Sequence, residues 1–109
     1  MIRHIVAFEL TAHDEPQRSH DATQVIERLE ALRDVVAGVI DLRVHRDVGL
    51  VAAHWPLVLV ADFEDFDALE AYQTHPRHVA FIDWANAGVI AERAIVDFDV
   101  SGPPSTSPS

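Results

Sequence analysis

Leu57-Val58-Leu59-Val60-Ala61-Asp62-Phe63 is the stretch that most constrains this chain. It is an apolar run broken only by Asp62, and Pro56 is tolerated only at its start, since proline cannot donate to a sheet ladder. A run of this length reads as a strand, and its apolar residues fall on both faces. Ile5 and Ala7 repeat the pattern against Val6 and Phe8 in an N-terminal strand from Arg3 to Leu10, and a closing strand from Arg93 to Val100 is similar. One layer of helices covers one face of a sheet and leaves the other wet. Burying a Val, Ile or Phe side chain is worth about 1.5–3 kcal/mol, so an uncovered apolar face is costly. The expected remedy is a second copy of the chain packed sheet to sheet, a homodimer through the sheet face.

The other elements follow from local signals. Asp14 and Gln17 are spaced as a capping box, with Pro16 tolerated in the first turn. Ala22, Val25, Ile26, Leu29, Leu32 and Val36 hold helical spacing up to Gly38, a natural stop. Val39 to Val48 alternates, with Ile40, Leu42 and Val44 on one side, as a half-exposed edge strand does. Asp47 to His54 reads as a loop. Asp65 is placed to cap a helix from Phe66 to Gln73, and a further helix runs from Pro76 to about Ala87. The order strand, helix, strand, strand, helices, strand is α+β. It is the ferredoxin-like βαββαβ plan, with a four-stranded antiparallel sheet. Residues 3–100 form one domain, and the Ser/Pro-rich residues 101–109 read as a flexible tail.

Chemistry concentrates in Tyr72-Gln73-Thr74-His75-Pro76-Arg77-His78. Pro76 lacks an N–H and must break the incoming helix, while suiting the first turn of the next. His75, before it, is pushed out of helical conformation. His78 then shares a stripe with Phe81, Ile82 and Ala85 and faces inward, as does Tyr72. Buried hydroxyl and imidazole groups need partners. They either pin the broken helix to the sheet or line a pocket. The first turn of a helix disfavours imidazolium, which suits His78 to act as a neutral base. Asp97 would fix its tautomer on reaching the other ring nitrogen. The spacing His75-x-x-His78 could suit zinc, but the break at Pro76 spoils the geometry, and no metal or cofactor is expected. His13, His20, His45 and His54 fall in loops or on exposed faces.

Eighteen acidic residues against eight arginines give a net charge of −10, which repels phosphate backbones and argues against nucleic acid. There is no cysteine for a disulfide, thiol nucleophile or thiolate site. No apolar run suits a signal peptide or membrane span, so a cytoplasmic protein without membrane attachment is expected.

Arg3-His4-Ile5-Val6-x-Phe8, the Gly38-Val39 turn, Asp62-Phe63-Glu64-Asp65, Ala71-Tyr72-Gln73-x-His75-Pro76-x-His78 and Asp97-Phe98 together resemble the stress-responsive dimeric α/β-barrel (Dabb) family. The resemblance covers roughly residues 3 to 99. It implies a dimeric ferredoxin-like fold, and most members have no assigned activity. The HPxH motif is similar to that of plant polyketide cyclases of the olivetolic acid cyclase kind. That likeness implies catalytic roles for Tyr72 and His78 and places His4 and Asp97 in the same polar network. His75 and Phe81 are further candidates for ligand contact. The implied ligand is small and apolar or polyketide-like, although Leu57 stands where the cyclase has another histidine. The alternative reading is a non-catalytic stress or binding protein whose polar cluster is structural.

Overall fold

A computed structural model of the chain describes residues 1–100. The expected Ser/Pro-rich tail at 101–109 lies outside the described residues. The elements are β1 (Ile2–Leu10), α1 (Gln17–Glu30), β2 (Val39–Arg46), β3 (Leu57–Phe63), α2 (Phe66–Thr74), α3 (Pro76–Asn86) and β4 (Ile90–Asp99). The strands form one antiparallel sheet in the order β2-β3-β1-β4. This is the expected ferredoxin-like α+β plan, with β2 on an edge.

Period-two alternation decides which face is covered. His4, Val6 and Phe8 of β1, in register with Ala61, Leu59 and Leu57 of β3, are buried beneath the helices, as is Leu10, which pairs with Ile90 of β4. Val25 and Leu29 of α1, Leu69 and Tyr72 of α2, and Phe81 and Ala85 of α3 complete that core. The opposite face carries Ile5, Ala7, Val58 and Val60, each only half-buried, and Val96 and Phe98, exposed at 62% and 42%. The apolar second face read from the sequence is therefore present and open in a single chain.

Four local expectations need correction. No capping box forms at α1. Pro16 itself occupies the N-cap without a side-chain bond, so Asp14 lies too far back to reach. The regular helix stops at Glu30, and the chain continues to Val36 in tighter turns, with the Leu32 N–H bonding the Leu29 carbonyl. Leu32 and Val36 still reach the core. A register shift between Val39 and Asp41 turns Ile40 outward, 52% exposed, off the face that Leu42 and Val44 share, and β2 ends at Arg46 rather than Val48. Finally, β4 begins three residues earlier than Arg93, at Ile90, two residues after Gly88 turns the chain at φ 125°.

Candidate functional site

Capping residues place the site on the helical side of the sheet. Asp65 starts α2, its Oδ1 accepting from the Ala68 N–H at 2.9 Å. His75 ends α2 and opens α3 in an extended conformation (φ −63°, ψ 137°), as the following proline demands. Its N–H reaches back to the Tyr72 carbonyl, and its Nδ1 accepts from the Arg77 N–H at 3.0 Å. His75 is therefore a capping residue; it is not among the residues that line the cavity described below.

The turn brings Tyr72 and His78 together, ring centroids 4.6 Å apart. Tyr72 is fully buried and His78 half-buried. His4, rising from β1, meets Tyr72 edge-on with centroids 6.4 Å apart. The register pairs His4 with Asp97, and His4 Nδ1 lies 2.5 Å from Asp97 Oδ1. A partly open cavity of about 120 Å3 lies between the helix break and the sheet. His4, Tyr72, His78, Phe81 and Arg93 contribute to its wall, and the rest is mostly apolar.

The tautomer of His78 follows from one contact. Its Nδ1 is 3.0 Å from the Gln73 carbonyl oxygen, which can only accept, so Nδ1 carries the proton. In the neutral ring Nε2 then holds the lone pair. The expectation that Asp97 would orient His78 is thus corrected: Asp97 is engaged by His4, and a backbone carbonyl at the helix break does the orienting. Burial is the main cause that pushes the His78 pKa below the ordinary histidine value. The bond to Gln73 opposes it, and the nearby His4, Arg93 and His75 reinforce it. Burial also pushes the Tyr72 pKa up, so its hydroxyl stays protonated and available as a donor. The arrangement sets a neutral imidazole base beside a neutral phenol in a mostly apolar cleft.

Two contributors escaped the sequence reading. The sequence pattern marks Arg93 only as the start of the last strand, yet it shares the inward face of β4 with Ile95 and Asp97, a parity that alternation carries. The role of the Gln73 carbonyl has no signature in residue type. Among the described residues no group of three or more His, Cys, Asp or Glu is placed to hold a metal ion.

The family model for the stress-responsive A/B barrel domain matches residues 2–100. The chain belongs to this family. Among solved structures, the Dabb chain is similar to a dimeric ferredoxin-like protein of unknown function from Thermobifida fusca, 30% identical with a TM-score of 0.75, covering 91% of this chain and 90% of that one. A dimeric protein of unknown function with a ferredoxin-like fold from Bacteroides fragilis is 25% identical with a TM-score of 0.79, covering 90% and 94%. A Dabb protein with a ferredoxin-like fold from Mesorhizobium loti, 21% identical with a TM-score of 0.72 over 93% and 97%, shares the fold. No curated protein matches. The Dabb chain also has no helix long and apolar enough to cross a membrane among its described residues.

Proposed function

We propose that this Dabb protein is a homodimer whose cavity binds a small carbonyl compound and moves a proton on it, with His78 as the base and Tyr72 as the orienting donor. The observation that carries the reading is the His78 Nδ1 bond to the Gln73 carbonyl, which leaves Nε2 as the basic nitrogen of a ring packed against Tyr72. Nε2 takes a proton from the carbon next to a carbonyl, and the C–H electron pair passes into an enolate. The Tyr72 hydroxyl donates to the enolate oxygen, stabilising charge where it develops. In a cyclase-like reaction the enolate carbon attacks a second carbonyl of the same molecule. The proton then returns from His78 to the new alkoxide. His4, held by Asp97, shapes the wall behind Tyr72. An engineered apolar cavity of about 150 Å3 holds benzene, so about 120 Å3 suits a compact ligand rather than a long chain.

The dimer is supported by the open apolar sheet face and by the dimeric description of two relatives. The catalytic reading is tested by deuterium exchange at the α-carbon of short 3-oxo esters and thioesters. His78→Gln and Tyr72→Phe should each lower the rate by at least about a hundredfold, the low end of what a general base and an oxyanion donor contribute. Unchanged exchange in both variants removes these residues from any mechanism.

One observation favours the non-catalytic alternative. The His78–Gln73 and His4–Asp97 bonds also fasten the helix break and the β1–β4 pair. In that reading His78→Gln lowers stability and alters no chemistry.

A further inference from the structure

Arg93 is the only permanently charged side chain in the cavity wall among the described residues. Its terminal Nη2 donates to the neutral Asn86 Oδ1 at 2.9 Å, and its Nε is buried without a hydrogen-bond partner. Arg3 pairs with Asp62, Arg18 with Glu9 and Arg43 with Asp41, while Arg33 donates to the Leu42 carbonyl, Arg46 to Thr23 and Arg28 lies over the Trp84 ring. What sets Arg93 apart is its place in the cavity wall with a buried, unpartnered Nε. Arg93 has no such ion pair among the described residues, although the chain holds 18 acidic residues. Asp97, two positions along the same strand face, is engaged by His4.

A planar guanidinium presents donors in a fork that matches a carboxylate, and a charge-assisted bond is strongest where water is thinned out. Removing a buried donor's partner is costly, so an orphaned Nε is a place where a ligand oxygen, after a small turn of the side chain, gains more than it would in water. A phosphate brings nearly two charges and three acceptor oxygens, more than one arginine in a mainly apolar wall can satisfy.

We propose that Arg93 anchors the carboxylate of a small keto acid in this cavity and makes the site selective for anionic over neutral ligands. The proposal rests on the ligand-binding reading of the same cavity and adds the charge of the ligand. The carboxylate end sits at β4, and the carbonyl end lies toward Tyr72 and His78.

The test is an NMR titration of the full chain with acetoacetate against methyl acetoacetate, and with benzoate against benzamide. Each pair keeps the skeleton and changes the charge. The carboxylates should shift signals of Tyr72, His78 and Ile95 and bind at least about tenfold more tightly than their neutral partners, equivalent to about 1.4 kcal/mol. Arg93→Gln should abolish that preference, and Arg93→Lys should keep part of it. Equal binding of charged and neutral probes, no binding of either carboxylate, or unchanged preference in Arg93→Gln overturns the proposal. The wild-type comparison decides even where a variant folds poorly. Carboxylate binding lost only in Arg93→Gln, with α-proton exchange independent of His78, leaves the anchor standing and removes the base. Exchange that needs His78 but shows no charge preference does the reverse.

Discussion

His4 and Asp97 face each other across the β1–β4 register, His4 Nδ1 2.5 Å from Asp97 Oδ1, with His4 only 4% exposed. β4 is an edge strand with almost all its residues exposed, so little apolar burial holds it in place. This polar pair supplies a specific contact at the end of the strand that also carries Arg93. Asp97→Ala should destabilise the fold by about 1–3 kcal/mol, the usual cost of orphaning a buried hydrogen-bonding group. Urea unfolding measures it, and hydrogen exchange should rise first in β4 amides.

Capping at the helix break is separable from the cavity. His75 accepts from the Arg77 N–H through Nδ1 and lies outside the cavity wall. His75→Ala should cost about 0.5–2 kcal/mol in stability, as other lost N-caps do, and leave ligand affinity unchanged. Calorimetry and the NMR titration together check both halves. A large fall in affinity with intact stability would show that His75 touches the ligand.

Stability should depend on pH through His78. Its folded-state pKa lies below the ordinary histidine value because burial disfavours the charged ring. The unfolded chain therefore binds the proton more readily as pH falls through about 6.5, the unperturbed value, and unfolding is favoured. The full stability is present above that value and is lost progressively below it, until the folded-state pKa is passed. His78→Gln should flatten this dependence between neutral pH and the folded-state pKa. Urea midpoints measured across that range provide the comparison.

The open sheet face should close against a second copy. Val60, Val96 and Phe98 lie there with Ile5 and Val58, and Val96 alone is 62% exposed in the single chain. Sedimentation should show a dimer at micromolar concentration, and Val60→Asp should shift it towards monomer, since an unpaired charge in an apolar interface is strongly disfavoured. A wild-type chain that sediments as a folded monomer removes the dimer.

Features set by backbone chemistry were readable in the sequence. Pro56 and the run after it located β3, Asp65 located α2, and Pro76 located the break, because a missing N–H or a capping oxygen acts within a few residues. Helical spacing also placed His78 and Tyr72 on one side. What escaped depended on contacts remote in sequence or on backbone atoms. The outward turn of Ile40 comes from a register shift against β3, and the orientation of His78 comes from a carbonyl. Alternation along β4 carries the inward parity of Arg93, but the cavity it shares with Tyr72 and His78 forms only once β4 pairs with β1. The early end of α1 reflects tighter turns that keep Leu32 and Val36 in the core, so their spacing alone still suggested a helix.

The claim on which the chemistry turns is that His78 is a neutral ring with its proton on Nδ1 and its lone pair on Nε2. Nitrogen-15 NMR of the histidine rings, followed through a pH titration, measures this directly. The account predicts the Nδ1–H tautomer for His78 at neutral pH and a midpoint below the ordinary histidine value. An Nε2–H tautomer, or a midpoint at or above that value, would contradict it.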